Sequence, residues 1–536
     1  MRPFLHRGAI GPLSAFAVAA ALASPAALGG QQPGGEHPGR APYQKWCAGC
    51  HGVEGDGEGP AADWMLPRPR DFRDARYQIR TTPSGALPTD ADILRVIDEG
   101  MPGTAMPGWK GRLSRRDRAN LVDYLKTFSR FFAMEDAPER LDVGRAPGMS
   151  RDAVEEGREI YQSVECWKCH GQAGRGDGPS APTQTDDRGF PIRPADLTEP
   201  WFFNGGGSVE AVYTRLLTGL DGTPMPSFSD LISGGIITDE QLWHVALYVR
   251  SLAPESSPDV REVVRAGLVG GALPSGPSDE AWDDTDRYYI PLVGQIIVEP
   301  RWFSPTVDGV WVQALHDGEE LALRLTWHDP SRSPDPAWEE WRRLLTDIME
   351  PREGEPPAPS SPDVFTVQFP TTMPEGRDLP YFLGGDPSRP AYLWRWQSDT
   401  EVLREALGRG LDEVEILPAD DASPRASAEF EDGQWRLVIR RPLETADPER
   451  RLAMPTGEAI PIAFFAQDGS SGEAGHRGSI SSWYFLYLDR PASASVYIVP
   501  VAAALLTALL GLGVVARARQ TGGAARRETE TLLEGA

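Results

Sequence analysis

Cysteine is scarce in this sequence. Only 4 cysteines occur among 536 residues, which is far too few for a scaffold held together by disulfides. They fall in two C-x-x-C pairs, "CAGC" and "CWKC", and each pair is followed at once by a histidine. The few thiols are therefore concentrated at two chemically specific places.

Basic residues are also in short supply. The chain has 53 lysines and arginines against 78 aspartates and glutamates, for a net charge of −25. This balance disfavours nucleic acid as a partner, because phosphates require a basic face. It favours long-range attraction of a basic partner, such as a small basic cytochrome; the alternative is a solvated acidic surface without a partner. No Ser/His/Asp triad, phosphate loop or carboxylate dyad is recognisable, so we do not expect an independent enzyme.

Long apolar runs occur near the two ends. Residues 1–30 carry early arginines, an apolar run and small residues, which is typical of a secretory signal peptide; an uncleaved anchor is the alternative. The uncharged run 496–516 is long enough to cross a bilayer core about 30 Å thick; a buried core helix is the alternative. Arginines follow at once. Because positive charge stays inside, we expect 517–536 to be a cytoplasmic tail and the bulk to face the periplasm, on a single-pass inner-membrane protein.

Segments 42–133 and 151–253 form an internal repeat. Each contains a C-x-x-C-H motif, then a "GTxMP" motif, and then an apolar pattern at helical spacing. We expect the closing helix of the first to begin at Ser114. The closing helix of the second is expected at Thr238, where Gln241 completes a capping-box pattern.

The C-x-x-C-H motif is the attachment pattern of c-type haem. Two thiols at this spacing add to the two vinyl groups of one porphyrin, and the adjacent histidine lies under the iron as an axial ligand. Zinc is a poorer explanation because each metal would need four ligands and the pairs sit in separate repeats. A thioredoxin-like dithiol would need a βαβ context, and a disulfide leaves both histidines unexplained. The candidate residues are Cys47, Cys50 and His51 in the first repeat and Cys166, Cys169 and His170 in the second.

The second axial ligand is expected to be a methionine, because a thioether favours reduced iron and raises the potential. Met106 follows His51 at the same sequence distance as Met225 follows His170. Met101 competes in the first repeat, but the second repeat has no methionine at the matching position. The alternative for both methionines is a gap-filling role in the core.

The two repeats resemble class I cytochrome c domains, on "CAGCH", "CWKCH", "GTAMP" and "GTPMP". The resemblance implies small all-α domains, each wrapping one covalent haem c with an edge exposed for electron transfer. Arg68, Arg70 and Arg193 are candidates for pairing with haem propionates, or else are solvated surface charges.

In segment 281–490 the spacing of the apolar residues changes from the helical period to alternation. "VWVQALHDGEELALRLTW" alternates and turns at Asp317-Gly318, and "ASAEFEDGQWRLVIRRPL" does the same at Asp432-Gly433. An antiparallel β-sandwich is predicted, interrupted at 336–362 by a helix and a proline-rich loop. The expected fold is multidomain: two all-α cytochrome c domains, an all-β sandwich and one C-terminal transmembrane helix.

The third segment resembles the haem-binding (gamma) subunit of ethylbenzene dehydrogenase and related molybdenum enzymes of the dimethyl sulfoxide reductase family. The stretches behind this are "LRLTWHDP", "FTVQFP", "LPYFLGGDPSRPAYLWRW" and "IPIAFFAQDGSSGEAGHRGSISSWYFLYL". The resemblance implies a b-type haem held between a methionine and a lysine. Those two places hold Gly384 (or Leu383) and Gly478, and 281–490 contains no lysine.

Two histidine-based alternatives remain in the third segment. His476 and Met373 are a candidate substitute pair for a b-type haem, but we favour a solvated loop histidine and a sandwich that has lost its haem. His316 and His328 are expected to be surface or structural residues.

These features together predict a membrane-anchored periplasmic electron carrier with two haems c. The resemblance of the third segment implies a molybdenum oxidoreductase as partner. A freestanding shuttle to a terminal oxidase, and a binding protein that senses redox state or a ligand, are the alternatives.

Overall fold

The computed structural model describes residues 36–134, 139–254, 258–303, 305–335, 340, 361–376, 378–490 and 494–534. The expected signal peptide and nearly all of the expected insertion at 336–362 lie outside these residues.

The first repeat is helical. Its closing helix is capped where the sequence predicts, because Ser114 Oγ accepts a hydrogen bond from the Asp117 amide at 3.1 Å. Leu121 and Leu125 on that helix are buried. The helices are α1 (Arg40–Trp46), α2 (Ala48–His51), α3 (Asp90–Glu99), α4 (Arg115–Lys126) and α5 (Phe131–Met134).

The second repeat is also helical. The predicted capping box is confirmed: Thr238 Oγ1 accepts from the Gln241 amide at 3.1 Å, and Gln241 Oε1 accepts from the Thr238 amide at 2.9 Å. The capped helix α10 packs against α6 and α8. The helices are α6 (Arg151–Ser163), α7 (Trp167–His170), α8 (Val209–Thr218), α9 (Ser229–Ser233) and α10 (Asp239–Ser251).

A buried arginine joins the two repeats. Arg80 is fully buried, and its Nη2 donates to Thr218 O and to Asp221 Oδ1, each at 2.7 Å. In return, Arg215 Nη2 donates to Arg80 O at 2.7 Å. A buried guanidinium is stable only when its N–H groups meet acceptors. Because Thr218 O and Asp221 Oδ1 lie on the second repeat, these hydrogen bonds fix the relative orientation of the two repeats.

The third segment is β-structure. Both predicted hairpins are confirmed, with Gly318 and Gly433 at positive φ in their turns. The strands in its described part are β1 (Val263–Leu268), β2 (Tyr288–Pro291), β3 (Val293–Gly294), β4 (Gly309–His316), β5 (Glu320–His328), β6 (Val364–Pro370), β7 (Gly385–Asp386), β8 (Arg389–Gln397), β9 (Leu403–Gly408), β10 (Val414–Ile416), β11 (Arg425–Glu431), β12 (Gln434–Pro442), β13 (Ala459–Gln467), β14 (Ser479–Ile480) and β15 (Tyr484–Leu488).

Strand β13 belongs to both halves of the sheet. It pairs antiparallel with β6 on one side and with β15 on the other, in the order β10-β9-β8-β6-β13-β15-β1-β4-β5-β12-β11. The two halves cover one apolar core: Trp327 on β5 contacts Phe365 on β6 (ring centroids 4.4 Å apart), and Trp396 on β8 contacts Trp435 on β12 (4.8 Å). The large β-region is thus a sheet folded over its own core.

The β-region also contacts both helical repeats. The guanidinium of Arg301 lies over the ring of Trp64 at 3.7 Å. Trp201 meets Tyr289 edge to face, with centroids 6.0 Å apart. These aromatic and cation–π contacts position one face of the β-region against the repeats.

One long helix, α11 (Ala494–Glu534), ends the described chain. Residues 498–521 of α11 are apolar and long enough to cross a membrane, and their side chains are exposed. The helix does not end at 516, because it continues through the arginines of the expected tail.

Candidate haem-binding site

A short helix places each C-x-x-C-H motif. In the first repeat Cys47 links α1 to α2, and Tyr43 Oη donates to Gly52 O at 2.7 Å, just after the motif. In the second, Tyr161 Oη donates to Gly171 O at 2.6 Å. In each repeat, a buried tyrosine at the equivalent position therefore holds the end of the motif.

In both motif histidines, one ring nitrogen makes a hydrogen bond to a backbone carbonyl. Nδ1 of His51 lies 3.1 Å from Arg70 O, and Nδ1 of His170 lies 2.9 Å from Ala195 O. Because a carbonyl oxygen can only accept, Nδ1 carries the proton and Nε2 keeps its lone pair. Burial lowers the pKa of both imidazoles, which favours this neutral form. A histidine that binds iron through Nε2 requires this tautomer.

The four cysteines are unpaired thiols. Burial raises the pKa of Cys47 and of Cys166 to about 12, and it raises the pKa of Cys50 as well. The thiols are thus free of disulfides, as attachment to a porphyrin requires.

The two candidate methionines lie in matching loops. Thr104 Oγ1 accepts from the Met106 amide at 3.1 Å, and Thr223 Oγ1 accepts from the Met225 amide at 3.2 Å. The competitor Met101 donates its amide to Met106 O at 3.0 Å. The "GTxMP" motif therefore forms a loop in which the threonine hydroxyl binds the methionine amide.

One continuous cavity of about 1450 Å³ receives both motifs. This exceeds the roughly 300–1,000 Å³ of a usual single-ligand pocket, so it has room for two groups. All the predicted site residues line it: Cys47, Cys50, His51, Met106, Cys166, Cys169, His170 and Met225. Met101 lines it too. The residues present fit two haems c that face a shared space.

The three candidate arginines also line this cavity. Arg68 pairs with Asp63 at 2.7 Å, and Arg193 donates to Pro305 O in the β-region. Burial lowers the pKa of Arg70. Their position favours a role at the cavity wall over that of isolated surface charges.

The β-region closes part of the cavity, with His328 on the wall. Its Nδ1 donates to Gly433 O at 2.8 Å, and its Nε2 lies 3.8 Å from Asp177 Oδ2. Burial, aided by Arg175 and Arg193, lowers the pKa of His328 to about 3. A surface role is therefore wrong for His328, whose side chain is 11% exposed.

The surface alternative is also wrong for His316, which is fully buried on β4. The sequence could not show whether His328 is a surface or a structural residue, because its burial depends on contacts with a distant repeat. Arg80 and Asp221 were missed for the same reason: each is an ordinary surface-type residue in its own repeat.

His476 uses both ring nitrogens. Nδ1 donates to Glu299 O at 2.7 Å, and Nε2 lies 2.7 Å from Asp412 Oδ1. These two acceptors raise the pKa of His476. Met373 packs against the apolar core of the β-region. In this arrangement neither nitrogen of His476 is free to bind iron.

The two glycines at the places implied by the resemblance lie where a side chain is disfavoured. A Cβ on Gly478 would lie 2.5 Å from Ala466 O, and Gly384 has a φ of 79°. Neither position admits a longer side chain without a backbone shift.

Two families of known proteins match the helical repeats. Residues 35–125 match the family described as Cytochrome C oxidase, cbb3-type, subunit III, and residues 154–253 match the family described as Cytochrome c.

Three known proteins are similar to parts of the chain. A protein named as a respiratory nitrate reductase heme subunit, from Haloferax mediterranei, is 24% identical over 211 residues, which is 39% of this chain and 67% of that protein. Cytochrome c55X from Stutzerimonas stutzeri is 33% identical over 82 residues, which is 15% of this chain and 55% of that protein. A chain in the structure of a reducing HAO-like protein complex from Kuenenia stuttgartiensis is 45% identical, with a TM-score of 0.39, over 41% of this chain and 97% of that chain.

Proposed function

Because the chain carries two cytochrome c-type domains, which indicate electron transfer, we propose that it is a membrane-anchored periplasmic cytochrome with two covalent haems c. Cys47 and Cys50 would attach the first, and His51 and Met106 would bind its iron. The second is held in the same way by Cys166, Cys169, His170 and Met225.

The observation that carries this proposal is the repeated histidine geometry. Each motif histidine donates Nδ1–H to a backbone carbonyl and keeps Nε2 for the cavity, and each motif has a methionine at the same sequence distance. Independent core residues would have no reason to repeat this arrangement twice.

Haem c, when bound, supplies a one-electron ferric/ferrous couple. The carbonyls of Arg70 and Ala195 orient the imidazoles and raise their basicity as ligands. Met106 and Met225 would each supply a second ligand to the iron, so neither haem would keep a free site for a substrate. The proposed role is therefore electron transfer rather than catalysis.

The shared cavity supports electron exchange between the two sites. The repeats are held together by the bonds of Arg80 and Arg215, and no described backbone separates the two groups of cavity-lining residues into different cavities. A fixed orientation favours rapid transfer, because little rearrangement is needed.

The location is part of the proposal. A signal peptide at 1–30 would export the chain, and the apolar part of α11 would anchor it in the inner membrane with the tail at 517–536 inside. The proposed domains are 42–133, 151–253 and 281–490.

The proposed partner is a molybdenum oxidoreductase of the dimethyl sulfoxide reductase family. The relative named as a nitrate reductase heme subunit supports an oxidoreductase partner, and the resemblance of the third segment to gamma subunits supports the molybdenum class. In this proposal the β-region is a docking module without haem.

Affinity purification from detergent-solubilised native membranes tests the partner. We expect a large molybdopterin-containing subunit to co-purify in fixed ratio with this chain. Recovery of the dihaem chain alone, under conditions that preserve membrane complexes, would favour the freestanding shuttle. Carbon monoxide binding to the reduced wild-type protein would favour a sensing role.

A further inference from the structure

Three aspartates meet where the two halves of the β-sheet come together. Asp329 directly follows β5, Asp363 directly precedes β6, and Asp468 directly follows β13. Asp468 follows the end of β13 that pairs with β6 in one half of the sheet, whereas β5 lies in the other half. All three side chains are fully buried.

The three carboxylates are close together. One oxygen from each lies within 4.8 Å of the other two. Asp363 is held in place, since Oδ1 accepts from the Gly469 amide at 3.0 Å and Oδ2 accepts from Trp435 Nε1 at 3.1 Å.

The other two carboxylates are only half satisfied. Asp329 Oδ1 accepts from the Ser331 amide at 3.2 Å, and Asp468 Oδ1 accepts from the Ser470 amide at 2.8 Å. Their Oδ2 atoms are buried and have no hydrogen-bond partner among the described residues. A buried carboxylate oxygen without a partner is costly, and such cases call for a bound ion or water.

Two hydroxyls next to the cluster are unpartnered as well. Ser331 Oγ and Ser333 Oγ are buried without a hydrogen-bond partner in the described part of the chain. The Ser333 amide donates to Asp363 Oδ2 at 2.8 Å, so this backbone lies against the cluster. Next to the three aspartates there are therefore two further buried oxygens without a partner, both hydroxyls.

Among the described residues, no basic side chain pairs with the three aspartates. Within the described ranges, no ion pair joins Asp329, Asp363 or Asp468 to a lysine, arginine or histidine. Burial and mutual repulsion raise the pKa of Asp329 and Asp363. Glu473 adds a further buried carboxylate, whose oxygens accept from the Asp468 amide (2.9 Å) and from Trp302 Nε1 (2.7 Å).

We propose that Asp329, Asp363 and Asp468 bind one Ca²⁺ ion that ties together the two halves of the β-sheet. The ligands are all oxygens, which hard cations prefer and which zinc or copper sites with histidine or cysteine do not resemble. Ca²⁺ accepts irregular oxygen cages buried in protein, whereas Mg²⁺ usually keeps several waters.

The cation would also stabilise the wall of the haem cavity. Asp329 follows His328, which lines that cavity, so a fixed Asp329 fixes the end of β5. The competing explanation is a cluster of neutral carboxyl groups that share protons, as neighbouring buried acids can.

The test uses the full-length, detergent-solubilised holoprotein. After dialysis against buffer without added metal, elemental analysis should find one calcium per chain. EGTA should lower the Tm of the β-region, and Ca²⁺ should restore it when equimolar Mg²⁺ does not. Absence of bound calcium, together with no Tm change on adding EGTA or Ca²⁺, would overturn the proposal.

Terbium provides a local probe. Trp435 donates to Asp363, so indole excitation should sensitise Tb³⁺ luminescence, and Ca²⁺ should compete it away. Asp468→Asn should weaken Tb³⁺ binding beyond the roughly 10- to 100-fold that loss of an outer-shell partner costs. The control is Asp284→Asn, an exposed carboxylate of the same region, which should bind as the wild type does.

The sign of the stability change separates the two explanations. A calcium site predicts a lower Tm for Asp468→Asn, because a ligand is lost. A proton-sharing cluster predicts an unchanged or higher Tm for that variant and no response to chelators. Haem content should be the same throughout, so failure here leaves the proposed electron-transfer role untouched.

Discussion

At the scale of single residues, ligand geometry depends on backbone carbonyls outside the motifs. Arg70 O and Ala195 O each accept Nδ1–H of the motif histidine, although they lie at different distances along the chain from it. The C-x-x-C-H motif predicts the histidine, but it does not reveal this partner. The partner depends on loops that differ between the repeats.

Truncating either candidate methionine should open an axial position. We expect the reduced Met106→Ala and Met225→Ala proteins each to bind carbon monoxide at one haem per chain, and that haem's potential to fall, because a thioether favours reduced iron. Spectroscopic redox titration with and without carbon monoxide measures both effects. Met101→Ala is the matched control; carbon monoxide binding by that variant alone would transfer the ligand role to Met101.

His476 should make stability depend on pH. Its folded-state pKa is raised by Glu299 O and Asp412, so its stabilising contribution is full below the unfolded value of about 6.5 and is lost as pH rises through the folded pKa. The free energy of unfolding of wild type should exceed that of His476→Ala at pH 6, by less than about 1 kcal/mol, and the gap should close by pH 9. A gap that widens with pH would contradict this reading.

At the scale of secondary-structure elements, local sequence was enough to place the closing helices and the hairpins. The caps of α4 and α10, and the Asp-Gly turns at 317–318 and 432–433, depend on neighbours a few residues apart. The aspartates at the ends of β5, β6 and β13 have no such local signature. They come together only when the sheet folds over its core.

Removing the cap of α10 should destabilise the second repeat. Thr238→Ala loses the bond to the Gln241 amide, and we expect a loss of about 0.5–2 kcal/mol in the free energy of unfolding. Urea denaturation followed at the haem of that repeat measures it. Ser251→Ala, at the other end of the same helix, serves as control and should cost less than the cap variant.

At the scale of the whole molecule, the repeats act as one unit because of Arg80. Removing one partner of a buried, hydrogen-bonded charge typically costs about 3–5 kcal/mol, so Arg80→Met should lower stability by that order and let the repeats unfold separately. The exposed pair Arg76–Asp187 crosses the same interface, and Arg76→Met should cost about 0–1 kcal/mol. Equal effects of the two variants in calorimetry would argue against a special role for Arg80.

We propose two covalent haems c for this chain and none for its β-region. A pyridine haemochrome spectrum of the purified, detergent-solubilised protein, with acid–acetone extraction, tests it most directly. The expected result is two haems c per chain and no extractable haem. An extractable b-type haem would contradict the account and make His476 and Met373 the first residues to mutate, whereas fewer than two covalent haems would contradict the assignment of the cytochrome sites themselves.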